Sequence, residues 1–154
     1  VSKGTYEAVL MQGSGTFGVE AVLATTVPRG GKVLVAINGA YGKRIAAMCG
    51  VMGIDCASVV FREDEYADPA AVDAAIAKDP GVTHLAVVHC ETTSGIVNDI
   101  AAVGAVAKAR GVAYFVDAMS SFGAIPVDVD ACGIDYLVSS ANKCIEGVPG
   151  FSFC

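Results

Sequence analysis

An α/β fold, with a mainly parallel sheet covered by helices on both faces, follows from two features of this 154-residue sequence. Short β-branched runs alternate with alanine-rich stretches of helical character, and the runs are apolar on successive residues rather than on alternate ones. A strand that is apolar on both faces must be covered on both, which is the condition of a parallel sheet in βαβ order. Composition agrees. Hydrophobic residues make up 54% of the chain and the mean hydropathy is +0.58, enough apolar surface for one domain with a substantial core.

The elements read off in order. YEAVLM (6–11) is the first predicted strand, and the glycine-rich turn after it opens a helix over 16–27. KVLVAIN (32–38), a helix over 41–52 and CASVVF (56–61) follow. Asp68 as N-cap, with Pro69 at the first helical position, starts a helix over 69–78. THLAVVH (83–89) is the next strand, and a helix over 99–109 is closed by Gly111. AYFVDA (113–118), YLVSS (136–140) and a last strand-like stretch, GFSFC, complete the pattern. The chain begins and ends beside strand-like sequence, so residues 1–154 read as one unit of a larger protein.

Charge and cysteine usage narrow the class. A net charge of -6 and a pI near 4.7 argue against nucleic acid as the main partner, because phosphate backbones require clustered Lys and Arg. The longest low-polarity stretch, IAAMCGVMGI, is interrupted by two glycines and falls far short of the roughly 18 residues a membrane span needs. No basic segment followed by an apolar one opens the chain, so export is not expected. Cys49, Cys56, Cys90, Cys132, Cys144 and Cys154 form no CxxC pair, which predicts reduced, mostly buried thiols and a cytoplasmic location.

In an open α/β sheet, ligands sit beyond the carboxyl ends of the strands, so the strand ends carry the chemistry. The first ends in QGSGTFG, where Gly13, Gly15 and Gly18 satisfy G-x-G-x-x-G. That pattern admits two readings, a phosphate cradle of backbone N–H groups or a tight strand–helix turn. A dinucleotide site would also place an acid about 20 residues on. None stands between Ala21 and Ile54, so only a variant relying on Lys43 or Arg44 would remain. The second strand ends in NGAYGKR, where Tyr41 either stacks on a planar ligand or packs at a helix start. The fourth ends in HCETTSG, an acid, Glu91, with two hydroxyls; His89 and Cys90 read as packing, because the only other histidine, His84, lies in the same predicted strand. The fifth, FVDAMSS, delivers Asp117, an acid that is costly to bury without a cation. The sixth, SSANK, brings Lys143 to the same edge of the sheet. The two form an ion pair, or they act on opposite ends of one ligand.

Taken in order and spacing, GSGTFG, NGAYGKR, HCETTSGIVND, YFVDAMSSFGA and SSANKCIEGVPGF resemble the large domain of the class V, fold type I aminotransferases that use pyridoxal phosphate. VLMQGSGTFGVEA and SSANKCIEGVPGF are most similar to members that move the amino group of 2-aminoethylphosphonate to pyruvate, giving phosphonoacetaldehyde and alanine. The resemblance covers essentially the whole chain. It implies that Lys143 bonds covalently to pyridoxal 5'-phosphate and that Asp117 pairs with the pyridine nitrogen. Ser14, Gly15 and Thr16 would hold the phosphate, Tyr41 would stack on the ring, Thr92 would bond near the ring hydroxyl, and Asn142 would reach the phosphate side. It also implies a small-molecule amino donor, a 2-oxo acid acceptor and a homodimer. An N-terminal segment and a smaller C-terminal domain, the usual source of an arginine for the substrate carboxylate, would lie outside residues 1–154. Alanine:glyoxylate aminotransferases and cysteine desulfurases share the pattern, but the desulfurases typically carry histidine where Asn142 stands. A non-catalytic nucleotide-binding module would keep GSGTFG and have no use for Lys143 or Asp117.

Overall fold

A computed structural model describes residues 6–154. The elements are β1 (Leu10–Gln12), α1 (Gly15–Thr26), β2 (Lys32–Ile37), α2 (Ala40–Met52), β3 (Asp55–Val60) and α3 (Pro69–Lys78). They are followed by β4 (Val82–Val88), β5 (Cys90–Glu91), β6 (Ile96–Val97), α4 (Ile100–Arg110), β7 (Ala113–Asp117), β8 (Tyr136–Ser140) and β9 (Phe151–Phe153).

Seven strands form one sheet in the order β1-β9-β8-β7-β4-β2-β3. The five from β8 to β3 are parallel, and β9 and β1 add an antiparallel edge. Side-chain alternation along β2 divides the core in two. Val33, Val35 and Ile37 pack with Val19, Leu23, Ile45 and Cys49 from α1 and α2. Leu34 and Ala36 turn the other way, with Leu85, Val87, Tyr114 and Val116, onto Val72 and Ile76 of α3 and Val103 and Ala107 of α4. The sheet is therefore doubly wound, with helices on both faces as the unbroken apolar runs require.

The helix boundaries have local causes. Asp68 accepts a hydrogen bond from Ala70 N at 3.0 Å ahead of Pro69, and Asp99 accepts one from Ala102 N at 3.0 Å. Gly53 and Gly111 close α2 and α4 in the left-handed conformation. No described helix is long and apolar enough to cross a membrane.

Two differences from the sequence expectation are instructive. Within the predicted strand 6–11 only Leu10 and Met11 are strand, because β1 pairs with the three-residue β9 alone and a strand lasts as long as its partner. The small β5–β6 hairpin carries two residues on each side, too few to show any periodicity.

Leu85, on central β4, is 0% exposed. Leu85→Ala is expected to lower the unfolding free energy by about 2–5 kcal/mol in urea denaturation, since transfer and cavity costs add. A loss below about 1 kcal/mol would show that this part of the core is loosely packed.

Candidate active site

The turn after β1 leads into the N-terminus of α1, where Ser14 is exposed and Gly15 buried. Gly13 has φ +113°, a left-handed backbone that favours glycine, and Ser14 caps α1 in extended conformation. The Ser14 hydroxyl makes no bond to its own helix, and in the first turn Phe17 N donates to Ser14 O at 2.9 Å. Gly13 N donates to Gly150 O at 2.9 Å, tying this turn to the segment that follows Lys143.

Glu91, the last residue of β5, holds the next wall. It is 0% exposed, and its carboxylate accepts from Tyr41 N at 3.2 and 3.1 Å, Gly42 N at 3.3 Å and Thr93 Oγ1 at 3.2 Å. An acid at the N-terminus of α2 satisfies orphan amides and the helix dipole together. The approach demands glycine at 39, where a Cβ would lie 2.1 Å from Glu91 Cγ. Clamped in this way, α2 presents Tyr41 half-buried, with the Arg44 guanidinium 5.1 Å from its ring centroid. Beneath, Asn38 and Asn98 exchange side-chain amide bonds at 3.0 and 3.1 Å, and Asn98 also joins Val88 O and Ala67 N, both at 2.8 Å. The loops after β2 and β4 are fixed to each other by this buried polar knot.

Asp117 ends β7 and is 4% exposed. Its carboxylate accepts a hydrogen bond from Met119 N, 3.0 Å to Oδ1. Burial, with the negative charge of Glu91 adding to it, pushes the carboxyl from an ordinary 3.8 up to about 6. The Met119 N–H and the positive charges of Arg44 and Lys143 pull the other way without prevailing. Among the described residues no Lys or Arg forms an ion pair with Asp117, so the simple Asp117–Lys143 salt bridge that the sequence allowed is not formed. Strand order brings the two residues to one edge of neighbouring strands, but Lys143 lies in an exposed turn after β8 rather than against the buried carboxylate.

Thr16, Tyr41 and Asp117 line one narrow cleft, together with Arg44 and Met119. Thr92 stands apart from that lining, and its hydroxyl lies 2.6 Å from Ser120 Oγ, joining the loops after β4 and β7. Ser14 and Asn142 are exposed, and Gly15 is buried under Met119. Glu91 and Arg44 are the contributors that sequence reasoning undervalued. Glu91 was visible only as an acid near two threonines, and Arg44 only as a possible nucleotide contact. His84 and His89 are buried, which holds both imidazoles below their ordinary value, and His89 Nδ1 has no partner among the described residues.

The family model for aminotransferase class-V matches residues 3–153. The chain belongs to the class V aminotransferases. Within this family it is 53% identical over 148 residues to a 2-aminoethylphosphonate–pyruvate transaminase of Syntrophobacter fumaroxidans, covering 96% of the chain and 40% of the relative. It is 50% identical to a bifunctional phosphonoacetaldehyde hydrolase/aminoethylphosphonate transaminase of Clostridioides difficile, covering 96% of the chain and 23% of that protein. The crystal structure of pyridoxamine-pyruvate aminotransferase from Mesorhizobium loti superposes with a TM-score of 0.89 at 30% identity, over 97% of this chain and 38% of that one. The chain thus spans about 40% of the length of a curated single-function relative. Class V aminotransferases depend on pyridoxal 5'-phosphate. The residues present suit that group. A buried carboxylate with no ion-pair partner among the described residues suits a protonated aromatic nitrogen, an aromatic wall stands beside it, and a helix N-terminus without a side-chain cap bond suits a phosphate.

The raised Asp117 carboxyl gives a signed pH dependence. Between 3.8 and about 6 the folded state holds a proton that the unfolded state has released, so ligand-free stability falls as pH rises through that window. Asp117→Asn removes the fall. At pH 7 to 8 the ligand-free variant should be more stable than wild type by on the order of 3 kcal/mol, read by denaturation across pH. Parallel pH–stability curves for the two proteins would contradict the raised carboxyl.

Proposed function

We propose that this chain is the cofactor-binding part of a transaminase that moves the amino group of 2-aminoethylphosphonate to pyruvate, yielding phosphonoacetaldehyde and alanine. The observation that carries the reading is Asp117, a buried carboxylate with no ion-pair partner among the described residues, at the base of a cleft walled by Tyr41 and Thr16. The relatives' aminophosphonate names, at about half identity over nearly the whole chain, favour this donor over others of the family.

Pyridoxal 5'-phosphate, when bound, supplies the electron sink for the negative charge that develops at the substrate Cα. The chain's residues do the rest. Asp117 would accept a hydrogen bond from a protonated pyridine nitrogen, whose charge would favour the ionised carboxylate. Ser14 Oγ and the N–H groups of Gly15 and Thr16 bind the phosphate at the α1 N-terminus. Tyr41 stacks on the ring, oriented by the Glu91 clamp on its backbone, while Thr92 bonds near the ring hydroxyl and Asn142 supports the phosphate side. Lys143 Nζ would hold the cofactor covalently at rest and, once displaced by the donor's amine, would carry the proton from the substrate Cα to the cofactor side, a task suited to a flexible amine in an exposed turn.

The arginine that binds the substrate carboxylate is assigned to the part of the relatives' length outside this span. A homodimer in the cytoplasm, with active sites completed at the subunit interface, belongs to the same proposal.

Two outcomes are expected. Borohydride reduction of the full-length, cofactor-loaded protein followed by peptide mapping should place a pyridoxyl group on Lys143; label on Lys3, Lys32 or Lys43 would displace it from the role. Alanine formation from pyruvate should be fastest with 2-aminoethylphosphonate and slow with serine or cysteine as donor. Sulfide release from cysteine at a comparable rate would assign the chain to desulfuration instead.

A further inference from the structure

All six cysteines are free thiols, but the expectation that most are buried fails, because only Cys49 is buried, four are half-buried and Cys56 is exposed. Cys49 and Cys56 are brought together by the end of α2. Gly53 adopts the left-handed conformation and its N–H reaches Gly50 O, while Ile54 N donates to Cys49 O at 2.9 Å. This paired closure lays the residue at Cys49 against the chain as it leaves the helix and enters β3. Strand alternation does the remainder. Ala57 and Val59 face the core under α3 and α4, so Cys56 and Ser58 face the opposite side of the sheet, the side that α2 covers and where Cys49 packs.

We propose that Cys49 and Cys56 form a thiol–disulfide exchange site that a small-molecule disulfide oxidises to an internal cross-link. Cys56, the exposed member, is the entry point. Its thiolate attacks one sulfur of the reagent RSSR, the S–S bond of the reagent breaks, and one RS⁻ leaves. Cys49 then gives up its proton and attacks the Cys56 sulfur, expelling the second RS⁻. Two protein thiols and RSSR become one protein disulfide and two RSH, so electrons and protons balance without another reagent.

The neighbours favour this order. The Cys49 thiol holds Cys56 below the ordinary thiol range with help from the Ser58 hydroxyl, while Cys49 itself is held above that range by the same contact and by burial. Once Cys56 is in a mixed disulfide it no longer keeps the Cys49 proton in place, and burial alone is left holding that thiol up. The pair lies where β3 starts, whereas the candidate cleft gathers where β7 ends, so the exchange site is separate from the cofactor residues and independent of the transaminase reading.

The test uses the full-length protein, glutathione disulfide under native conditions, alkylation of remaining thiols and mass mapping. The tryptic peptide Ile45–Arg62 should become two hydrogens lighter, and cleavage after Met52 should leave two fragments that separate only on reduction. Cys49→Ala should stop at a stable glutathione adduct on Cys56, and Cys56→Ser should leave Cys49 unmodified until the protein is unfolded. A wild-type protein that accumulates only the Cys56 adduct, links Cys56 to another cysteine, or leaves both thiols reduced overturns the proposal.

Discussion

A parallel sheet buried on both faces leaves its side chains little choice: those that point up or down from the central strands enter one of two apolar cores, and polar groups must gather where the strands end. Here β2, β4, β7 and β8 run the same way, so Asn38, His89, Asp117 and Ala141 stand at one edge although they come from separate parts of the chain. The cleft residues supplied by α2 and the end of β7 depend on that alignment. Turning one of these strands round would send its terminal group to the opposite end of the sheet.

Two carboxylates are buried at that edge, and the fold treats them differently. Glu91 is saturated by backbone amides and a threonine hydroxyl, so its charge is compensated within the chain and serves to position α2. Asp117 receives one backbone bond and feels Glu91 as a like charge, so its ionised form is left undercompensated. A satisfied acid is architecture. An undersatisfied one beside a narrow cleft is a free-energy store that a cationic ligand can draw on.

Much of this was legible in the amino-acid order. Val33 to Ile37 and Leu85 to Val88 announce doubly covered strands, and Asp68–Pro69 and Gly111 mark helix ends that the structure keeps. Asp117 and Lys143 could be assigned to one edge because each follows an apolar strand. Their separation could not, since it depends on the turn after β8, where Gly147 N returns to Ala141 O at 2.8 Å. The Glu91 clamp was hidden for a related reason. Its partners are backbone N–H groups, which every residue but proline possesses and which no side-chain pattern advertises. Likewise the exposure of Cys56 follows from β3 being an edge strand, a fact of sheet order rather than of local composition.

The antiparallel edge has a bearing on how the chain reaches this state. In the β1–β9 ladder Leu10 sits opposite Phe153, whereas the β2–β3 and β2–β4 ladders join neighbours along the chain through single helical crossovers or two of them. Closing the largest loop carries the greatest entropy cost and is repaid by only three residues of pairing. Loop-closure entropy alone therefore favours pairing of the central strands ahead of the seam that docks the α1 turn against the segment after Lys143.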